Sequence, residues 1–421
     1  MKRFCHCCRI FLIISASIFI KCKTETAEQQ MPIMVWYGPA VQNVNALDFW
    51  TIRQAGFNQC LVDFQENAIN SKALSFADSI GLRLYVTDSA LNRFAARQDS
   101  SLVTIDSLTT LYHSHPSFLG YFLADKPGLK DFASISTLID YLHSKHPSHP
   151  FFVQANPEYA TPAALDTIVY RDYLSLLMQK LRPAFLSIEH YGILKDKLRP
   201  EFFTNLAHAR QMSLDNDSPF WAFALLVAFD NHPEVAHSHV RLQLFAGLAY
   251  GAKGVQYYSF RPPKDNIHEY GDAILSHEGD KTQAYSFVRM INSELEQLSP
   301  VLMRLKSTGI YFSHPVPPGG QPFKPGLPII KINSPSILTG FFEDDVGQKY
   351  VMFVNTDFFY GKLAQVHFSE NVQALVEVPK NYLPPLVIEW EDELYKDADI
   401  LFKAGDGRLF QIIEKPRPSW D

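Results

Sequence analysis

The chain has 421 residues, 47% of them apolar and 13% aromatic, and carries a net charge of −6. That length is too great for one ordinary core and predicts about two domains. The mild acidity gives no footprint for nucleic acid, and beyond the start no run of ~20 apolar residues is present to cross a membrane.

Residues 1–30 read as an export signal and tether. MKRFCHCCR is basic, IFLIISASIFI is an apolar run of signal-peptide length, and FIKC then leads into the polar stretch KTETAEQQ. No small-x-small cleavage site follows. The pattern is similar to a bacterial lipoprotein signal with Cys22 as the acylated residue, although Lys21 stands where a small residue is usual. The expectation is an exported protein of the cell envelope, in the periplasm or at the outer membrane, held by a lipid anchor. A soluble secreted form and an uncleaved anchor are the alternatives. Cys5, Cys7 and Cys8 fall in the signal, so Cys60 stands alone in the folded part and forms no internal disulfide. Set in FNQCLVDF, it reads as a buried, inert thiol.

From residue 31 to about 305 one rhythm repeats. A short apolar run ends in polar or aromatic residues, and an amphipathic stretch of helical period follows. The runs are IMVWYGP, FNQCLVDF, LRLYVTD, FLGYFLAD, FFVQANP, AFLSIEHY, PFWAFALLVAF and GVQYYSF. Eight such units predict a (β/α)8 TIM barrel. A doubly wound sheet is disfavoured, because it usually has fewer strands and a Gly-rich phosphate turn, and none is present. After VPPGGQPFKPGLP the helical stretches cease. IIKIN, ILTGFFED, KYVMFVNTD, AQVHFS, ALVEVP, LVIEWE and RLFQII predict a small antiparallel β-sandwich over residues 306–421, whose expected role is to pack against the barrel.

A (β/α)8 barrel carries its active site at the C-terminal ends of its strands. The candidate substrate-binding residues are therefore those ending each run: Tyr37, Asp63, Asp88, Asn156, His190, Tyr191, Trp221, Tyr257 and Tyr258, with Asp125, Lys126 and Glu189 as the candidates for chemistry. Aromatic faces with carboxylates and amides suit a sugar ligand. Asp63 and Asp88 equally suit helix caps, Asn156 a turn before Pro157, and Trp221 and Tyr257 the barrel plug. His113 and His115 have a metal-like spacing but precede a strand, which puts them at the opposite end of the barrel. His237 and His239 are two apart on a helix and diverge. No metal or cofactor is expected.

The stretches HPSFLGYFLADKP, HPFFVQANPEYA, RPAFLSIEHYG, HPEVAHSHVRLQLFAGLAYGAKGVQYYSF and INSELEQLSPVL are similar to those of Bacteroides-type envelope proteins related to clan A glycoside hydrolases, often described as β-galactosidase-like. ILTGFFED, YVMFVNTD and AGDGRLFQI resemble their C-terminal domain. The resemblance spans nearly all of the chain after the tether and implies a carbohydrate ligand. In such proteins the fourth strand usually ends Asp-Glu-Pro and the sixth Asp-His-Tyr, with the clan's acid/base Glu after strand four and its nucleophile Glu after strand seven. Here the fourth ends Asp125, Lys126, Pro127 and the sixth reads Glu189, His190, Tyr191; strand seven offers no carboxylate before Asp230. Lys126 thus occupies the position of the family acid/base.

Glycoside hydrolysis needs two carboxyl groups about the bond, ~5 to 9 Å apart, and a lysine is cationic unless strongly desolvated. Lys126 is expected to pair with Asp125 or Glu189, or to attract an acidic sugar. Alternation along a strand sets Asp125 and Lys126 on opposite faces. Two readings follow: a glycoside hydrolase-like enzyme with Glu189 as the surviving carboxylate, and a catalytically inactive sugar-binding protein of a glycan-utilisation system.

Overall fold

The computed structural model describes residues 30–41, 44–97, 105–106, 110–264, 267–381, 383–390 and 396–415. Cys22 and the signal sequence lie outside the described residues. Among the described residues no helix is long and apolar enough to cross a membrane.

Eight parallel strands close a barrel in chain order: β1 (Ile33–Trp36), β2 (Gln59–Val62), β3 (Arg83–Val86), β4 (Phe118–Asp125), β5 (Phe151–Ala155), β6 (Leu186–Ile188), β7 (Phe220–Leu225) and β8 (Val255–Tyr258). Val35 pairs with Tyr257 to close the ring. The helices around it include α1 (Ala46–Gln54), α2 (Asn67–Asp78), α3 (Ser89–Ala95), α4 (Phe132–Lys145), α5 (Tyr170–Leu181), α6 (Phe202–Asn216), α7 (His237–Ala249) and α8 (Gln283–Leu302).

Alternation divides each strand between two cores. Outward residues such as Ile33, Val35, Cys60 and Val62 meet the helices. Inward residues such as Met34, Trp36, Leu61, Tyr85, Phe152 and Phe223 fill the lumen, so the barrel is packed and not a pore. A polar chain crosses this lumen. Trp36 Nε1 donates to Gln256 Oε1 at 3.1 Å, Gln256 Nε2 donates to Ser187 Oγ at 2.9 Å, and Ser187 Oγ donates to the Gln154 side-chain oxygen. Cys60 is fully buried, and desolvation pushes its thiol well up, which leaves it inert.

After α8 the chain enters antiparallel strands β9 (Lys306–Phe312), β10 (Ile329–Ile332), β11 (Ile337–Glu343), β12 (Lys349–Asn355), β13 (Lys362–Phe368), β14 (Val372–Glu377), β15 (Val387–Glu389), β16 (Asp397–Phe402) and β17 (Gly407–Glu414). They form a six-stranded sheet, β15-β14-β17-β12-β11-β9, and a three-stranded sheet, β10-β13-β16, packed over one apolar core. The larger sheet sits on α7. A Cβ at Gly340 would meet the Ala249 carbonyl oxygen at 2.2 Å, and one at Gly407 would meet the Phe245 ring at 2.5 Å, so this approach requires glycine.

Candidate active site

β6 shows how the sequence builds the mouth. Phe185, Ser187 and Glu189 all face inward by strict alternation. Phe185 stacks on Trp221 at 3.5 Å near the floor, Ser187 joins the polar chain, and Glu189 emerges at the top. Likewise Leu61 of β2 faces the lumen and Asp63 stands above it. Thr87 Oγ1 and Gln65 Nε2 each donate to Asp63 Oδ1 at 2.7 Å, which fixes the carboxylate.

β4 breaks the alternation. Its register against β5 shifts between Phe122 and Ala124, and Lys126 takes a left-handed φ of +50°. Asp125 and Lys126 consequently share the mouth instead of opposing faces. Lys126 Nζ donates to Glu189 Oε1 at 3.0 Å and lies 4.0 Å from Asp125 Oδ2. Asn156 Nδ2 donates to the Lys126 carbonyl at 3.1 Å and holds this turn from behind.

The electrostatics follow from that grouping. Burial in the mouth pushes the Asp125 carboxyl up; Lys126 opposes the rise, Glu189 and Asp63 reinforce it, and the result is about 6. Burial also disfavours the Lys126 ammonium, but Glu189 and Asp125 outweigh it and hold its pKa above the usual value. Burial and the neighbouring carboxylates push the Tyr37 and Tyr258 hydroxyls up, so both remain protonated donors. Their rings are 5.4 Å apart.

Two cavities flank Tyr37 and Asp63. One, of about 420 Å³, is lined by Tyr37, Asp63, Gln65, Asp125 and Lys126; the other, of about 410 Å³, runs past Tyr258 and Arg261. Two hydroxyl donors, two carboxylates (Asp63 and Asp125) and an ammonium border these spaces, while Glu189 lines neither and sits buried behind Lys126. Such a set can bind a polyhydroxylated ligand and move a proton to it.

Several sequence candidates lie off the mouth. Asp88 caps α3, accepting from Ala90 N at 2.9 Å, and takes a second bond from the Tyr112 hydroxyl at 3.0 Å. Trp221 is the second residue of β7, in register with Ser187, so it belongs to the barrel floor. Tyr257 faces outward, donating to Asn292 at 2.5 Å, with Phe57 against its ring. His190 is the outward neighbour of Glu189. It packs between Tyr159 and Phe202, and burial pushes its pKa down to about 3, so it stays neutral. Asn156 supports the Lys126 turn and does not line the cavities. Tyr191 borders the mouth, packed on Tyr258 and Phe223.

Sequence reasoning missed Gln65, Thr87 and Tyr159. Thr87 immediately precedes Asp88 at the end of the third apolar run, and alternation from inward Tyr85 identifies it as the inward residue. Gln65 and Tyr159 sit in loops that carry no period.

No family model matches this chain, and no curated protein matches it. Solved structures do. A β-galactosidase from Bacillus circulans sp. alkalophilus superposes with a TM-score of 0.60 at 8% identity, covering 91% of this chain and 99% of its own. A GH27 β-L-arabinopyranosidase from Geobacillus stearothermophilus gives 0.54 at 9% identity, over 93% and 98%. A β-galactosidase from the psychrophilic Marinomonas ef1 gives 0.50 at 12%, over 66% of this chain and 62% of that one. At such identities the likeness establishes the fold alone: a (β/α)8 barrel followed by a β-sandwich.

Proposed function

We propose that the protein acts on carbohydrate at the barrel mouth as a glycoside hydrolase-like enzyme. Asp125 is the proton donor, Glu189 is the surviving carboxylate, and Lys126 positions Glu189. The observation that carries this reading is the shared ammonium: contacts of 3.0 and 4.0 Å from one Nζ hold Glu189 and Asp125 about a single point. That is compatible with the ~5 to 9 Å spacing of glycosidase carboxyl pairs. A carboxyl tuned to about 6 is partly protonated near neutrality and suited to protonating a leaving oxygen. Tyr37 and Asp63 take sugar hydroxyls, and the Tyr258 ring gives the sugar an apolar wall.

The Lys126–Glu189 pair itself favours a second reading, a sugar-binding protein without hydrolysis. An ammonium at that point neutralises Glu189 and opposes an oxocarbenium-like transition state.

A screen of the purified protein on plant and host glycans, reading released sugar and binding together, separates the two. The enzyme releases sugar, and Asp125→Asn lowers release on the order of 10²- to 10⁴-fold while binding persists. The binder retains glycan without release, and Lys126→Glu introduces weak release by restoring an acid. Binding of no glycan rejects both.

The proposal extends to location. The sequence supports export and acylation at Cys22, so Cys22→Ser should move the protein from the membrane fraction to the soluble fraction. Unchanged fractionation rejects the anchor.

A further inference from the structure

The connection between β12 (Lys349–Asn355) and β13 (Lys362–Phe368) displays two large aromatic rings to solvent. Phe359 is 55% exposed and Tyr360 72%. Burying neither is costly for a connection that carries no other duty, yet this turn is tightly built. Asp357 Oδ1 accepts from the backbone N–H groups of Phe359 and Tyr360 at 2.9 and 3.0 Å, and Lys362 Nζ lies 3.3 Å from Asp357 Oδ2. Asn355 Nδ2 donates to the Tyr360 carbonyl at 2.8 Å. Phe358 is buried beside His239 and anchors the turn to the barrel. The two exposed rings are therefore preorganised, their centroids 6.4 Å apart.

They stand beside a groove of about 370 Å³ that both domains line, with Arg199 and Phe203 from the barrel and Phe312, Thr356, Asp357 and Phe359 from the sandwich. Arg199 also forms part of the wall behind the mouth. Its guanidinium stacks on Tyr159 at 4.1 Å, and its Nε donates to the Tyr191 carbonyl at 3.1 Å. Tyr191 packs on Tyr258, and Tyr159 is close enough to Glu189 and Lys126 to feel their charges. Groove and mouth thus share one wall, and the segment from Glu189 to Phe203 runs from one to the other.

We infer that this groove and the Phe359–Tyr360 platform form a second carbohydrate subsite, which holds a distal stretch of the same glycan that enters the mouth. The inference rests on the carbohydrate reading of the mouth. A groove that mixes ring faces with a guanidinium, a carboxylate and a threonine hydroxyl matches the alternating apolar faces and hydroxyl edges of a sugar chain. An all-apolar docking face would lack those polar groups.

The test uses the full chain, the double variant Phe359→Ala/Tyr360→Ala and Glu189→Gln, on an array of plant and host oligosaccharides graded in length. Calorimetry with the best-bound series then gives affinities. The double variant should bind the longest members ~10-fold more weakly and disaccharides within ~2-fold of wild type. Both replaced rings are exposed, so its thermal midpoint should match wild type. Length-independent binding with unchanged affinities in the double variant overturns the subsite. If Glu189→Gln still weakens binding in that case, the mouth reading survives alone. Loss of a wild-type dimer in the double variant, with glycan binding intact, identifies the platform as a contact between copies and also overturns the subsite. Binding of no glycan by wild type removes both readings.

Discussion

Two charged clusters in this molecule use the same kinds of residue and differ in balance. At the junction of barrel and sandwich, Arg241 donates to Glu294 at 3.1 and 2.9 Å and also to Asp406. Lys380 donates to Asp406 and lies 3.7 Å from Glu294. Two cations meet two anions there, largely shielded from water. At the mouth a single ammonium, Lys126, serves Glu189 and Asp125, with Asp63 adding to the same negative field. The Lys126 and Asp125 side chains are 38% and 48% exposed. The junction cluster borders a cavity of about 490 Å³, but its opposite charges are matched against each other; the mouth cluster carries surplus negative charge. The contrast makes the mouth cluster the better candidate for a functional role.

The largest expected effect tests the closed cluster. Asp406→Ala leaves Arg241 and Lys380 buried with Glu294 as their remaining anion, and removing one partner of such a set costs about 3–5 kcal/mol. Urea unfolding at neutral pH measures it. Burial pushes the Asp406 carboxyl up, but Lys380 and Arg241 more than reverse this and hold it below the usual value. A depressed carboxyl contributes stability that is present above its unfolded pKa and is lost as pH falls through the folded value. The penalty of Asp406→Ala should therefore shrink on acidification. A cost below about 1 kcal/mol at pH 7 would show that the cluster is not what holds the domains, and the comparison would fail on its structural side.

The barrel was legible because its strands are short apolar runs with tips at a regular interval, and the sandwich because its alternation lasts for more than a hundred residues without helices. The mouth was legible only where alternation held. In β6 the two-residue period carries Phe185, Ser187 and Glu189 to one face, so Glu189 was placed from sequence. In β8 the same period separates Tyr257 from Tyr258, and treating both as mouth residues ignored it. Trp221 misled because the run PFWAFALLVAF hides where its strand ends: the tryptophan is near the start. Asp88 fulfils the competing helix-cap expectation. Asp125 is the instructive failure. Nothing in FLGYFLADKP announces a register shift at Phe122, so strict alternation turned Asp125 away from Lys126. Bulges are set by the pairing with neighbouring strands, and a single strand's sequence does not encode that pairing.

The smallest expected effect tests the open cluster, and its sign is the informative part. The Asp125 carboxyl is raised from 3.8 to about 6, by burial first and then by Glu189 and Asp63 against the counteracting Lys126. A raised carboxyl means that the folded state binds more protons than the unfolded state between those two values, so stability increases as pH falls through that window. Above it, the ionised Asp125 weakens the fold. Asp125→Asn should therefore stabilise the protein at pH 7 and above, by about 1 kcal/mol once solvent screening of the half-exposed side chain is allowed for. The gain should vanish below pH 4. The same substitution removes the proposed proton donor, so stability rises while sugar release falls, as expected where a fold carries strain for function. Urea unfolding of the variant and wild type at pH 4 and pH 7 decides the matter. A neutral or destabilising Asp125→Asn at pH 7 would mean that Lys126 already balances the mouth. The difference between the two clusters would then be one of exposure alone, and the surplus charge offered to a ligand would not exist.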